Sequence, residues 1–278
     1  MPAEAKSVNS FVASRDGTRI AYRAWPKSQA KITIAVAHGL GEHSGRYGTF
    51  AEEMGRRGFG VFAVDVRGHG LSPGQRGHVD SWSQWTDDIR AFLDEVGRQV
   101  TGEVVPLGHS FGGAAVLSAA LDGKLPGARR FIVSSPALRT KLVVPQWKVN
   151  LGDMASRWMP RLAMSNDVDA GTLSRIPEVV AAYQSDPLVH PKISSRLFTE
   201  WQAATKRVLD HASQITLPFL IIAGADDRLI DPAGSEELHR RNPIRSELHV
   251  LPGRYHEPFN DLDSGEVFDL IAGWLNAA

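Results

Sequence analysis

The chain has 278 residues, enough for one large domain or for a core domain with a sizeable insertion. Lysine plus arginine and aspartate plus glutamate number 31 each, so charge gives no support to nucleic-acid binding, and the absence of cysteine excludes disulfides and cysteine nucleophiles. At the amino end, no basic segment precedes an apolar one and no run of eighteen apolar residues occurs. A soluble, cytoplasmic protein is therefore expected.

The first half of the chain alternates between predicted strands and helices. Residues 8–14 and 18–25 have the alternation of strands and flank Asp16-Gly17, which predicts an antiparallel hairpin. Further apolar runs predict strands of a parallel sheet, and they cover residues 32–37, 60–66, 104–107 and 131–134. Apolar residues at helical spacing predict the intervening helices, which cover residues 47–58, 82–96 and 111–121.

The alternation stops at residues 137–211, where helical patterns occur and no strand-like run is seen. It resumes with strands at 218–223 and 246–251, which are followed by helices at 233 to about 241 and around 267–275. This pattern predicts an α/β-hydrolase fold: a mostly parallel eight-stranded sheet flanked by helices, with an inserted helical cap over the carboxyl ends of the strands. We expect residues 1–136 and 212–278 to form the core and residues 137–211 to form the cap.

The pentapeptide Gly108-His109-Ser110-Phe111-Gly112 lies between a predicted strand and a predicted helix. Read as G-x-S-x-G, it is typical of a nucleophile elbow, in which a strained turn exposes the serine and glycines two residues away avoid collision. Ser110 is therefore the predicted nucleophile. Pro106 is unexpected just before it, because a proline removes one hydrogen-bond donor from a central strand.

A serine nucleophile needs a base and an acid, which this architecture places after later strands in the order Ser, Asp, His. Among ten histidines, His256 lies a few residues beyond the final strand, which makes it the candidate base. The loop after residues 218–223 holds Asp226, Asp227 and Asp231, of which Asp231 before Pro232 fits a helix cap. Spacing alone does not separate Asp226 from Asp227.

The reaction also develops an oxyanion, which requires hydrogen-bond donors already in place. The backbone N–H of Phe111, directly after the nucleophile, is one predicted donor. The other is the backbone N–H of Leu40, in the glycine-rich loop that follows residues 32–37.

Five sequence blocks together resemble the monoacylglycerol lipase family of α/β-hydrolases. They are HGLGEHSGRY at 38–47, DVRGHGLS at 65–72, GHSFGG at 108–113, SDPL at 185–188 and ADDRL at 225–229. The resemblance implies a capped serine hydrolase that cleaves monoacylglycerols without a cofactor or metal. It assigns the catalytic acid to Asp227, which precedes Arg-Leu, and it agrees on His256 as the base and on Leu40 and Phe111 as oxyanion donors.

Large apolar residues recur on one predicted helical stripe of the cap. The stripe consists of Trp147, Leu151, Met154, Trp158 and Leu162, and Met159 lies beside it. One interpretation is a face that packs on the body of the domain. The other is the lining of the substrate pocket together with a surface that contacts membranes or lipid aggregates transiently, since tryptophan and methionine suit such contacts.

These observations predict a serine ester hydrolase whose substrate is a small lipid ester. A lysophospholipase or a broad carboxylesterase is the alternative within enzymes, because these share the catalytic parts and differ in their pockets. A catalytically silent binding module is the alternative of another class, and it predicts the loss of at least one member of the triad. The sequence indicates no oligomeric state.

Overall fold

A computed structural model of the chain describes residues 7–141 and 154–277. Its strands, in chain order, are β1 (Val8–Ala13), β2 (Arg19–Trp25), β3 (Ile32–Ala37), β4 (Gly60–Asp65), β5 (Glu103–His109), β6 (Phe131–Ser134), β7 (Ala163–Ser165), β8 (Lys192–Ser194), β9 (Phe219–Gly224) and β10 (Ser246–Leu251). All strands except β7 and β8 form one sheet in the order β1-β2-β4-β3-β5-β6-β9-β10.

Helices cover the two faces of this sheet and also occur in the segment between β6 and β9. The α-helices are α1 (Gly48–Arg56), α2 (Ser83–Gln99), α3 (Phe111–Leu121), α4 (Pro177–Ser185), α5 (Ser195–Asp210), α6 (Ala233–Arg241) and α7 (Ser264–Asn276), and residues 154–158 are also helical. Short 3-10 helices occupy Ser44–Tyr47, Ala170–Thr172, Ala212–Gln214 and Pro258–Asn260. Within the described ranges, no helix combines the length and apolar character needed to cross a bilayer.

The direction of the strands confirms the predicted α/β-hydrolase fold. Strand β2 runs antiparallel to both of its neighbours, β1 and β4, and all other neighbouring pairs of the sheet are parallel. In strands β4, β5, β6 and β9 nearly every residue is buried, as expected where helices cover both faces. The carboxyl ends of the parallel strands therefore meet at one edge of the sheet, where open α/β folds bind their ligands.

Two hydrophobic layers hold the helices to the sheet. On one face, α1 and α7 bury apolar residues such as Met54 and Phe268 against β3, β4 and β5. On the other face, α2 and α3 bury Phe92 and Leu117 among side chains of the same strands. At about 25 cal/mol per Å² of apolar surface removed from water, these layers supply the main favourable term in folding.

Pro106 lies in the central strand β5 at a place where its missing N–H costs little. The N–H of Glu103 donates toward β3, to Lys31, whereas the N–H of Ser110 donates to Ser134 of β6. Because N–H groups alternate in direction along a strand, Pro106 faces β6. The ladder between β5 and β6 begins one residue later, at Leu107. The proline therefore precedes the ladder between β5 and β6, and its missing N–H does not interrupt that ladder.

The described residues between β6 and β9 add no strand to the main sheet, but the prediction that this segment contains no strand is wrong. Strands β7 and β8 form a small antiparallel sheet, in which Ala163 pairs with Ser194. Three-residue strands are too short to show alternation in a sequence. Backbone hydrogen bonds join this segment to the core, from His190 to Gly41 and from Ser194 to Gly77.

Candidate active site

The turn between β5 and α3 has the geometry of a nucleophile elbow. Ser110 adopts a positive φ of 53° with ψ of −119°, a conformation that is strained for a residue with a side chain. A Cβ atom added to Gly108 would overlap the backbone of Gly112, and one added to Gly112 would overlap the carbonyl groups of Ala37 and His38. The two glycines are thus required for the close packing that presents Ser110.

The structure brings the three predicted triad residues into one hydrogen-bonded chain. The Nε2 atom of His256 lies 3.0 Å from the Ser110 hydroxyl, and its Nδ1 atom lies 2.7 Å from Oδ2 of Asp227. Because a carboxylate only accepts, Nδ1 carries the proton and Nε2 is free to accept one from the serine. The other oxygen of Asp227 accepts the N–H groups of Leu229 and Ile230, which fixes the carboxylate.

The two other aspartates of the loop lie outside this arrangement. Asp226 is exposed, whereas its neighbour Asp227 is buried against His256. The carboxylate of Asp231 accepts the N–H of Ala233 at the start of α6, as expected of a residue that stabilises a helix end. The geometry therefore separates candidates that spacing alone left together.

Burial and charge act in opposite directions on the predicted base. Burial of His256 would lower the pKa of its imidazole, but the carboxylate of Asp227 raises it above the usual value of a histidine. Conversely, burial would raise the pKa of Asp227, but His256 and the two backbone donors lower it. His109, whose ring centroid lies 4.9 Å from that of His256, has a pKa lowered to about 4 by burial and by this neighbour.

Two backbone N–H groups are placed where the oxyanion donors were predicted. Phe111 begins α3 directly after Ser110, and Leu40 follows Gly39, whose added Cβ would lie 3.1 Å from that of Ser110. In the described part of the chain, neither N–H has an acceptor. Glu42 accepts the N–H of Gly39 at 2.7 Å, which holds this loop against the serine.

Ser110 and His256 open onto a cavity of about 780 Å³ between the core and the segment that follows β6. Most of its wall is apolar, including Met154, Trp158, Met159, Leu162, Leu173, Ile193, Phe198, Trp201, Leu229 and Ile230. Polar groups lie near the oxyanion loop and the base, including Glu42, Asn166, Tyr183 and Glu257. A cavity that is apolar over most of its wall and polar at one side suits an amphiphilic ester.

The cap residues predicted to bind substrate fall into two groups. Met154, Trp158 and Met159 line the cavity and are also exposed to solvent, with 82% of Trp158 accessible. Trp147 and Leu151 lie outside the described residues. One interpretation of the stripe was a face that packs on the body of the domain. The exposure of the described members does not fit that interpretation.

The predicted continuous stripe is wrong at its carboxyl end. The helical residues 154–158 stop before Pro160, and Leu162 lies in the following turn, with its N–H donated to the Met159 carbonyl. A proline disfavours helical geometry in the residue before it and lacks the N–H that a continuing helix needs. Leu162 nevertheless reaches the cavity wall.

A buried ionic network beside the triad was not predicted. The guanidinium of Arg46 donates to both oxygens of Glu257, at 2.6 and 2.8 Å, and to Glu42 at 2.9 Å. It thereby joins the loop of Leu40 to the residue that follows His256. The sequence held one indication of this network, because Glu42 and Arg46 both lie in the block at 38–47 that resembles the family.

Among the described residues, no group of three or more histidine, aspartate or glutamate side chains is arranged to hold a metal.

Comparison with known proteins identifies the family. The Hydrolase_4 family profile, described as serine aminopeptidase S33, matches residues 28–263. The chain is 35% identical to a monoacylglycerol lipase of Mycolicibacterium smegmatis over 99% of both chains, and 32% identical to the monoglyceride lipase of Homo sapiens over 94% of this chain and 88% of the human protein. A crystal structure of Paleococcus ferrophilus monoacylglycerol lipase shares 33% identity, covers 97% of this chain and 98% of its own, and superposes with a TM-score of 0.81. The chain therefore belongs to the monoacylglycerol lipase family of α/β-hydrolases, within the serine aminopeptidase S33 group.

Proposed function

We propose that this chain is a carboxylic ester hydrolase that cleaves monoacylglycerols to a fatty acid and glycerol. Nε2 of His256 takes the proton of Ser110 as the serine oxygen attacks the ester carbonyl carbon. Asp227 holds the imidazole in the productive tautomer, and the N–H groups of Leu40 and Phe111 bind the oxyanion. His256 then gives its proton to the departing glycerol oxygen, which leaves an acyl ester on Ser110.

The second half of the reaction uses the same groups on water. His256 takes a proton from a water molecule as the water oxygen attacks the acyl carbon, and the oxyanion donors bind the intermediate again. The bond to the serine oxygen breaks, the proton returns from His256 to Ser110, and the fatty acid leaves. One water is consumed for each ester cleaved.

One observation carries this proposal: the hydrogen-bonded chain from Asp227 through His256 to Ser110 opens onto a largely apolar cavity. A binding module would have no need for a base aligned with a strained serine. The family relationship supports the monoacylglycerol substrate, and the polar groups beside the oxyanion loop support an alcohol group that carries hydroxyls.

The proposal is tested by labelling and by turnover. A fluorophosphonate is expected to modify the wild-type protein and not Ser110→Ala, which should also lose hydrolysis of monoacylglycerol. Rates on monoacylglycerol, triacylglycerol, lysophosphatidylcholine and a short soluble ester of the wild-type protein then rank the substrates. Full esterase turnover by Ser110→Ala, or monoacylglycerol in last place, would contradict the proposal.

We further propose that residues 137–211 act as the cap and contact lipid aggregates or membranes transiently. Exposed apolar side chains at the cavity wall support this role, notably Trp158 and Met159. The cytoplasmic location expected from the amino-terminal sequence stays a prediction.

A further inference from the structure

The charged side chains in the described wall of the cavity are predominantly acidic. Within residues 7–141 and 154–277, three carboxylates line it, those of Glu42, Asp167 and Glu257, whereas no lysine or arginine does. The two histidines in the wall do not balance these charges. His109 is neutral at physiological pH because burial and His256 lower its pKa to about 4, and His256 must be neutral to act as the base.

Arg46 leaves one of the two buried glutamates uncompensated. Its guanidinium bridges both, and Arg46 is not among the residues that line the cavity. Burial alone would raise the pKa of Glu257, but Arg46 more than offsets this effect and lowers it to about 2. Burial and Glu257 would raise the pKa of Glu42, but this pKa is also lowered, with Arg46 as the largest opposing influence. One positive charge thus faces two negative ones.

These carboxylates lie on the side of the cavity where the alcohol part of an ester is expected. Glu42 accepts the N–H of Gly39, beside the serine, and Glu257 directly follows the base. Asp167 is exposed, and no cationic partner is present for it within the described ranges. Its neighbour Asn166 lies against the oxyanion loop, 3.5 Å from the position of a Cβ on Gly41.

The rest of the wall is suited to the acyl chain. Phe198 and Trp201 of α5, together with Met154 and Trp158, line the cavity with apolar surface. An acyl chain placed there removes apolar surface from water, whereas the same chain placed against the carboxylates would leave them without solvent. We therefore expect the ester to bind with its alcohol group toward Glu42 and Glu257.

We propose that Glu42, Asp167 and Glu257 form an acidic subsite that admits esters of uncharged alcohols and excludes esters of anionic ones. This inference rests on the proposed function and narrows its substrate class. A phosphomonoester carries between about −1.5 and −2 charges at pH 7. Such a group would meet like charges in the described part of the cavity wall, where no lysine or arginine is present, and this repulsion costs interaction energy.

The experiment compares two substrates with the same acyl chain, 1-lauroylglycerol and 1-lauroylglycerol 3-phosphate, below their aggregation concentrations at pH 7.5. We expect kcat/KM of the wild-type protein to be at least about tenfold lower for the phosphate, the factor that corresponds to a modest like-charge repulsion. Asp167→Asn and Glu257→Gln should each raise the rate on the phosphate relative to the neutral ester at least about threefold.

The variants are chosen to preserve the fold. Asp167 has a positive φ of 51°, which asparagine adopts as readily, and glutamine keeps the shape of Glu257 beside Arg46. Asp226→Asn is the matched control, because it also removes one negative charge but the residue is exposed and does not line the cavity. Its ratio of rates should equal that of the wild-type protein.

Three results would overturn the acidic subsite: a wild-type ratio below tenfold, unchanged ratios in both cavity variants, or an equal change in Asp226→Asn. If Glu257→Gln is inactive, the ratio of rates on the two substrates in Asp167→Asn alone tests the acidic subsite. If 1-lauroylglycerol is not hydrolysed, the proposed function fails. The ratio between ethyl laurate and the anionic lauroyl ester of glycolic acid then tests the subsite independently.

Discussion

At the scale of single residues, the site depends on the environment of His256. The imidazole is buried, which disfavours its protonated form, yet the carboxylate of Asp227 at 2.7 Å stabilises that form. The same carboxylate therefore serves two steps of the proposed reaction. It fixes the proton on Nδ1 before the attack, and it stabilises the imidazolium once the proton of Ser110 has moved.

Asp227→Asn is expected to lower kcat by a factor of roughly 10⁴, because an amide does not enforce the productive tautomer. The acid limb of the pH profile should also move. His256 accepts a proton only when neutral, so kcat/KM falls as pH drops through its pKa, which Asp227 raises in the wild-type protein. Without the carboxylate, the limb shifts to lower pH. Profiles of kcat/KM between pH 5 and 9 on an activated soluble ester measure both effects.

Asp226→Asn is the control for this prediction, since the exposed carboxylate lies in the same loop without contacting His256. It should keep the wild-type profile. If the acid limb shifted in Asp226→Asn and not in Asp227→Asn, the catalytic acid would be Asp226, and the prediction for Asp227 would be contradicted.

The sequence predicted part of this site and could not predict the rest. Ser110 and His256 follow from their places after strands, because parallel strands end at one edge of the sheet. The choice of Asp227 over Asp226 depends on the direction of side chains in a loop, which spacing does not encode, and the family resemblance supplied it. The pairing of Arg46 with Glu257 joins residues 211 positions apart, so no local pattern reveals it.

At the scale of elements, the predictable parts were those with long and regular patterns. The strand at Ile32–Ala37 and the helix at Ala233–Arg241 have the predicted bounds, because burial on both faces or on one helical side imposes a clear periodicity. Strands β7 and β8 lacked such a pattern. The elbow between β5 and α3 also depends on how whole elements pack, because its glycines let the helix pack close to the end of β3.

Gly112→Ala is expected to lower esterase activity by about 100-fold or more. The added Cβ overlaps the carbonyl oxygens of Ala37 and His38, so α3 or the loop that carries Leu40 must move, and displacement of about 1 Å is enough for such a loss. The measurement is kcat/KM on a soluble ester, with thermal unfolding followed in parallel.

Gly97→Ala is the matched substitution. Gly97 lies within α2, and a Cβ atom there has no neighbour within 4 Å outside the helix backbone. The exchange should leave activity unchanged and raise the free energy of unfolding by about 0.5–1 kcal/mol, because alanine favours the helix. Equal losses of activity in the two variants would show that the close approach at the elbow is not the cause.

At the scale of the whole molecule, the core and the segment after β6 form the site together. Trp201 of α5 stacks on Phe111 of the elbow with ring centroids 4.9 Å apart, and its indole N–H donates to the carbonyl of Ala137. The inner side of this segment is thus held on the elbow. Its outer side exposes large apolar residues at the cavity wall, namely Met154, Trp158, Met159, Leu162 and Met164. In the proposed contact with lipid aggregates, this set would supply apolar surface in a protein without net charge.

Trp158→Ala with Met159→Ala is expected to reduce activity on micellar monoacylglycerol by about tenfold, because the two side chains would no longer bury apolar surface in the aggregate. Hydrolysis of a soluble short ester should change less than twofold. Ile244→Ala is the control: this side chain is 90% exposed but precedes β10, at the amino ends of the parallel strands and opposite the cavity. It should affect neither substrate. The deciding quantity is the ratio of the rate on micelles to the rate on the soluble ester. If this ratio is the same in the double variant and the wild-type protein, docking through these residues is ruled out and only a role in the pocket is left.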